Sequence, residues 1–443
     1  MTTQMMLAQG LMLLTLLIMI TGRTPIYLTA IVGSTIAALA AGFPITGKET
    51  VTIAKMINAG LNPVIADMTG ILLFIGIMKA TGFLDVIVRD IVLIGDKIGG
   101  GPGVCSAGGV AAGVIGALTG FTQPVITAVI TGPAAIRLGV DPNKVAGIQA
   151  HAGHIGNLAG FTHPTQVAIL ATAGIGYGLF NVLGLIASLS IFAFSYVRAV
   201  IDMKRRGVKI TAADRASIIA EIKAKEYATT SVKAFTPFAI LVVGFIIGLP
   251  IFLVGVVSAL TTMILSATNW KDAEHKMLDG VSLIATPLVA TIGFLFMSTV
   301  IRQIGLVDTI SGLAAPILTV SPVLVMFGVA FVTAFLCQSY AASVAVLVPF
   351  LQVVLQTGAD PFASAFAAAS GAALIQYFLT GGPVAGLSHG IPGGTASRPV
   401  AALATVIPVV PGSDLKTANA FQRPSILFGC LVSLVISIIL SFF

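Results

Sequence analysis

The chain has 443 residues, of which 57% are hydrophobic and only 9% charged, with a mean hydropathy of +1.05. Most of such a chain cannot face water, so a soluble globular protein is excluded and lipid is the solvent to reason with. The net charge of +7 is no sign of nucleic-acid binding, because the basic residues gather in one loop.

From the N-terminus, residues 1–22 carry no charge, no basic leader and no small-residue cleavage site, and read as a retained helix. About 20 apolar residues cross a bilayer. Spans are expected near 4–22, 24–43, 66–88, 144–173 and 178–200, with a re-entrant hairpin near 103–137. Glu49–Gly60 mixes charged with apolar residues and reads as a helix in the membrane interface. A linker follows at 201–233. It holds Lys204, Arg205, Arg206, Lys209, Arg215, Lys223, Lys225 and Lys233 against four acids, which marks a cytoplasmic segment. Its stretch Ala212–Tyr227 is polar enough for a surface helix. Beyond it, spans are expected near 235–250, 251–268, 281–304, 362–390 and 395–411, with a hairpin near 320–357. A further helix at 424–443 has no partner in the first half. Asn269–Gly280 is a second interfacial segment. The uncharged stretches 145–197 and 309–359 are too long for one simple crossing.

The two halves share landmarks. Asp-Pro occurs only at Asp141-Pro142 and Asp360-Pro361, a separation of 360 − 141 = 219 residues, and Gly139/Gly358 and Pro164/Pro383 share that offset. Gly70, Lys79, Gly82 and Asp85 recur in order as Gly293, Arg302, Gly305 and Asp308. An odd number of crossings separates the copies, so the second is inverted. The expected fold is an all-α polytopic membrane protein with about 11 transmembrane helices and two re-entrant hairpins, in two inverted-topology repeats. The first repeat covers 1–200 (scaffold helices 1–100, hairpin and broken helix 101–200). The second covers 234–443 (scaffold 235–315, hairpin and broken helix 316–411, extra helix 424–443). The N-terminus is expected outside, and the C-terminus and the 202–233 loop in the cytoplasm of a bacterial inner membrane.

Chemistry concentrates where Gly and Pro interrupt these helices. The first hairpin turns at Thr119, Gly120, Phe121, Thr122 and Gln123. The next span breaks at AGFTHPTQ, with Asn157, Gly160, Phe161, Thr162 and Thr165 as candidate contacts. The partners in the second half are Gln338, Ser339, Tyr340 and Ser343, then Thr380, Gly381 and Gly382 within IQYFLTGGPVAG. Broken helices survive in a bilayer only where the break is buried in protein or lines a wet cavity. A new half-helix presents N–H groups and a positive dipole end, which suits an anion. No Asp, Glu, Lys or Arg stands at these breaks, and a cation carrier would be expected to bury carboxylates there. An anionic substrate fits better. Histidine is the remaining titratable resource. His154, His163 and His389 are candidates for proton coupling, and His151 lies on the same span as the first two.

Together, the hairpin with a Gly/Thr/Gln tip, the interrupted span GFTHPTQVAIL and the inverted second copy resemble the ion transporter superfamily. That group includes the divalent-anion:sodium symporters and the citrate, lactate and gluconate permeases. The His-Pro break is similar to that of gluconate permeases. Gly120-Phe121-Thr122-Gln123 and Ser339-Tyr340-Ala341 stand in place of the Ser-Asn-Thr signatures of the sodium symporters, which weighs against sodium. The resemblance implies a homodimer working by an elevator motion of hairpins and broken spans against a scaffold. The expected function is proton-coupled symport of a small organic anion, a carboxylate, with sodium-coupled carboxylate symport as the alternative. A cation/proton antiporter or a membrane enzyme follows further behind. No Walker sequence, nucleophile–base set or metal spacing appears, and Cys105, Cys337 and Cys430 all lie in apolar runs, so no cofactor or metal is expected.

Overall fold

The computed structural model describes all residues except 1, 22–23, 25, 60–62, 120–123, 224–226, 248, 283–284, 320, 380–400 and 443. Among the described residues all regular structure is helical. The first half runs α1 (Thr3–Thr21), α2 (Ile26–Ala40), α3 (Ile53–Ala59), α4 (Pro63–Ala80), α5 (Phe83–Thr119), α6 (Val125–Arg137), α7 (Pro142–Ala150), α8 (Ala152–Leu158), α9 (Pro164–Ala173) and α10 (Leu179–Arg205). The linker carries α11 (Ala212–Lys223). The second half runs α12 (Ser231–Ile246), α13 (Ile251–Leu265), α14 (Trp270–Ser282), α15 (Ala285–Gln303), α16 (Leu306–Leu318), α17 (Pro322–Cys337), α18 (Tyr340–Gln356), α19 (Pro361–Ile375), α20 (Ala401–Val406) and α21 (Leu415–Leu440).

Among the described residues α1, α5, α10 and α21 are each long and apolar enough to cross a membrane, and α15 with α16 would add a fifth across a 77° bend. The α1 and α21 helices leave Leu13, Leu14, Leu17, Leu431, Val435 and Ile439 exposed, as a lipid-facing surface would. At the expected hairpin positions, α5 packs on α6 and α17 packs on α18. Other boundaries differ from expectation. The span at 66–88 is two helices, because Gly82 turns the chain at φ 72; Gly305 does the same before α16 at φ 70. Gly99 and Gly100 kink α5 into an arm and a hairpin limb. The span at 144–173 is α7, α8 and α9 with a break at 159–163. The expected 362–390 is described only as far as Leu379, and its helix ends at Ile375. Of the expected span 395–411 only the residues from 401 on are described, and there α20 has six residues and a 3₁₀ turn of three follows. The last helix starts at Leu415 rather than 424 and has 26 residues.

The Gly-x-Asp-Pro landmarks now have a physical reason. Gly139 and Gly358 adopt φ 85 and φ 81, left-handed values that end one helix without a Cβ clash. Asp141 then caps α7 by accepting from the Asn143 and Lys144 N–H groups at 3.1 and 3.3 Å. Asp360 caps α19 by accepting from Ala363 N–H at 2.7 Å. Pro142 and Pro361 occupy the first helical turn, where a missing N–H costs nothing.

The contacts pair across the halves. Helix α4 packs on α13 and α14, and α15 packs on α2 and α3. Similarly α10 lies on α8 and α5, α21 lies on α19 and α17, and α10 and α21 lie on each other. Lipid offers no hydrophobic drive between helices, so close backbone approach must supply the contact energy. A Cβ on Gly76 would lie 2.3 Å from the Lys276 carbonyl oxygen, so that position needs glycine.

Polar contacts define two ends of the bundle. At one, Lys144 pairs with Asp202 at 2.9 Å, Arg206 donates to the Gly139 carbonyl at 2.9 Å, and Asp414 N–H donates to Asn143 Oδ1 at 2.7 Å. The linker leaves α10 here, and Arg215 of α11 reaches back to Asp96 at 2.8 Å beside the α5 kink. At the other end Gln356 donates to Asp308 at 3.0 Å, and Ile438, Ser441 and Phe442 share a groove with Thr357 to Asp360. Helix α21 therefore starts at the linker's end and finishes at the opposite one.

Candidate functional site

Four chain interruptions meet inside the bundle: the end of α5, the break between α8 and α9, the α17–α18 turn, and the end of α19. At the first break the backbone groups freed from the helix are satisfied one by one. Phe161 N–H donates to the Ala117 carbonyl at 2.8 Å, and Thr162 Oγ1 donates to the Leu118 carbonyl at 3.5 Å. Asn181 of α10 donates to the Ala159 and Gly160 carbonyls at 3.0 and 2.9 Å, and the Tyr177 hydroxyl donates to Phe161 O. A Cβ on Gly160 would lie 2.1 Å from the Gly156 carbonyl oxygen, so the chain can fold back on α8 only with glycine there. Pro164, lacking an N–H, then starts α9.

At the second interruption Gln338 adopts φ 52, an uncommon left-handed value for a residue with a Cβ. Its side chain holds that turn, donating to the Phe335 carbonyl at 2.6 Å and accepting from Leu379 N–H at 3.2 Å. Ser339 caps α18 by accepting from Ala342 N–H at 3.1 Å, and Ser343 Oγ donates to the Ser339 carbonyl at 2.7 Å. Gln376, just past α19, accepts from Tyr340 N–H at 2.8 Å. The two interruptions then join. Thr165 Oγ1 donates to the Tyr340 carbonyl at 3.2 Å, and the His163 ring stacks on Tyr340 with centroids 4.7 Å apart. The N-terminus of α9 thus abuts the N-terminus of α18, bringing two positive helix ends into one buried place.

A second polar cluster adjoins it on α8. Asn157 donates to the Tyr377 hydroxyl at 2.7 Å, and the His154 ring lies edge-on to Tyr377 at 4.9 Å. His151 lies 5.3 Å from His154 and bonds Ser195 at 2.8 Å, and Ser195 donates to Ser425 at 2.7 Å. Helix α12 faces the break after α8 across an apolar cavity of about 490 Å³ that Leu118, Phe161, Asn181 and Phe238 line.

Of the residues expected at the site, Gly160, Phe161, Thr162, His163, Thr165, Gln338, Ser339, Tyr340 and Ser343 come together here. Asn157 and His154 stand beside them. Gly120, Phe121, Thr122, Gln123, Thr380, Gly381, Gly382 and His389 lie outside the described residues, as does the side chain of Thr119. Gln166, Asn181, Gln376 and Tyr377 were not among the candidates. Gln166 falls within AGFTHPTQ and Gln376-Tyr377 within IQYFLTGGPVAG, and their signal is polarity within long uncharged runs. Several buried polar atoms have no hydrogen-bond partner among the described residues: His163 Nδ1, both amide atoms of Gln166, the Tyr340 hydroxyl and His154 Nε2.

No protein-family model matches the chain, and no curated protein matches its sequence. Its fold does match a solved structure. The crystal structure of the Alcanivorax borkumensis YdaH transporter, described as having an unusual topology, is similar over 100% of this chain and 99% of that one. The TM-score is 0.60 at 15% sequence identity, a likeness of fold.

Proposed function

We propose that the chain is a secondary active transporter for a small organic anion, a carboxylate, that enters together with protons. The observation that carries this reading is the meeting of two interrupted-helix N-termini at Thr165 and Tyr340, with unpartnered polar atoms around them. Paired broken helices with N-terminal ends turned to one place suit an anionic group. The likeness to a transporter fold supports the reading. The substrate contacts would be Phe161, Thr162, Thr165, Gln338, Ser339, Tyr340 and Ser343, with Asn157 and the hairpin tip Thr119–Gln123 beside them. Thr380, Gly381 and Gly382 would complete the set. His163, His154 and His389 would be the candidates to carry the proton.

In this reading the halves are inverted repeats, each contributing five crossings, so that α21 is the counterpart of α10. The scaffold comprises the helices within 1–100 and 235–315. The moving part is 101–200 with 316–443, which slides as an elevator in a homodimer. With the basic linker in the cytoplasm, both chain ends lie outside a bacterial inner membrane. The cross-half contacts of α4 with α13 and α14, and of α15 with α2 and α3, support the repeat.

Reconstituted protein tests this directly. Uptake of a labelled carboxylate panel into proteoliposomes should rise with an inward proton gradient and persist without sodium. Uptake under a sodium gradient alone, indifferent to a protonophore, would replace the proton by sodium. Thr165, Ser339 and the freed carbonyls would then be the first oxygen ligands to examine. Failure of every anion to enter under either gradient overturns the reading.

A further inference from the structure

Gln166 is the least satisfied side chain at the junction. It is fully buried, and neither its amide nitrogen nor its amide oxygen has a partner among the described residues. Buried polar groups are nearly always paired, so each exception calls for an explanation. Position supplies one. Gln166 lies three residues after His163 in the first turn of α9, hence on the same helix face. His163 stacks on Tyr340, whose hydroxyl is also buried without a partner, and the His163 Nδ1 atom is a third such group. Three residues from two helices thus leave polar atoms unmatched around one pair of helix N-termini.

The chemistry of these atoms differs. Helix N-termini offer donors only, and suit a carboxylate. A glutamine amide offers a donor and an acceptor side by side in one plane. A carboxylate placed there would meet the Gln166 Oε1 lone pairs with its own. A protonated carboxyl group instead matches both atoms: its carbonyl accepts from Nε2–H and its O–H donates to Oε1. We infer that Gln166 reads a protonated carboxyl, so that the ligand is a dicarboxylic acid bound as its monoanion, its carboxylate at the helix ends and its carboxyl on Gln166. The coupling proton then rides on the ligand rather than on a histidine. This inference rests on the anion-transport reading and refines it. No bond is made or broken beyond the ligand's own ionisation in water.

The helices packed on α9 are α4, α15, α18 and α19. Lys79 at the end of α4 and Arg302 at the end of α15 are exposed. Tyr340 on α18 is buried, and α19 carries no acid or base within Pro361–Ile375. The side chain of Asp67 in α4 lies outside the described residues. On α9's own side, His163 stands at the N-cap position without a side-chain cap bond. No carboxylate among the described side chains of these helices competes for the proton.

The test uses purified full-length protein in detergent and three dicarboxylic acids with different second ionisation constants: succinate, tartrate and methylmalonate. Ligand affinity is read from thermal stabilisation across pH. The inference expects the pH of tightest binding to move with each probe's own ionisation. It also expects Gln166→Leu to weaken binding by about tenfold or more and flatten the pH profile. One fixed pH midpoint shared by all probes would overturn it in favour of a proton carried by the protein, leaving anion transport intact. The unmodified protein gives this answer even where Gln166→Leu fails to fold. Stabilisation by none of the acids at any pH would overturn both this inference and the anion reading.

Discussion

Tyr377 ties the interrupted ends of α8 and α19 together through one bond. Its buried hydroxyl accepts from Asn157 at 2.7 Å, and Gly153 leaves it room, since a Cβ there would lie 2.7 Å from that oxygen. Tyr377→Phe should cost about 1–3 kcal/mol, because the Asn157 amide would stay buried without its acceptor. Adding Asn157→Ala to Tyr377→Phe should cost less than the two single changes summed, as expected for partners. Thermal unfolding in detergent measures both, and full additivity would mean that the two residues do not interact. At this scale polarity alone marks several residues that the fold brings together. Thr165, Ser339 and Tyr340 stood out because they interrupt apolar runs at a Gly or Pro. Gln166, Gln376 and Tyr377 are not legible as site residues, because nothing in a linear sequence tells a polar residue that caps a distant N–H from one that faces lipid. That distinction depends on contacts such as Gln376 with Tyr340, 36 residues apart.

Helix punctuation decides most of the element boundaries. Asp141 and Asp360 each accept from a first-turn N–H group, so Asp141→Ala or Asp360→Ala should destabilise the protein by roughly 0.5–2 kcal/mol. Faster amide exchange confined to the first turns of α7 and α19 would show the loss, and unchanged exchange would refute the capping role. Asp414 caps α21 by accepting from Thr417 N–H at 2.9 Å, which holds its carboxyl below the ordinary carboxylate range. A depressed carboxyl contributes stability above its unfolded value of about 4, and that contribution is lost as pH falls through the lower folded value. Asp414→Asn keeps the cap but cannot titrate, so the variant should show a weaker loss of stability in acid than the parent. The caps at Asp141 and Asp360 fall on the Gly-x-Asp-Pro landmark that the sequence carries twice. The division at Gly82 is not legible in the sequence, because an apolar run carries no mark of where its helix bends. In such a run Gly82 and Gly305 act through backbone angle rather than through composition.

For the whole molecule, the relation between α10 and α21 sets which way the chain ends face. Both are long apolar helices that pack on each other. The linker end of α10 sits by Asp141 and Lys144, while α21 starts at that end, through Asp414 and Asn143, and finishes beside Asp360. A single crossing of about 26 residues at 1.5 Å per residue spans roughly 39 Å, enough for the hydrocarbon core and its margins. In the proposed arrangement the linker and the C-terminus then face opposite compartments, whichever side is the cytoplasm. Single cysteines at Lys209 and Ser441, in a background without Cys105, Cys337 and Cys430, provide the measurement. All three native cysteines are buried, so their removal by Ala or Ser should leave the surface unaltered. A membrane-impermeant maleimide applied to intact cells should label Ser441→Cys, and Lys209→Cys only after the membrane is opened. A second pair, Arg137→Cys and Gly358→Cys, marks the mouths of the two hairpins and should divide in the same way. Labelling of Lys209→Cys and Ser441→Cys from one side would require an even number of crossings after the linker. That would remove α21 as the counterpart of α10 and, with it, the proposed inverted repeat.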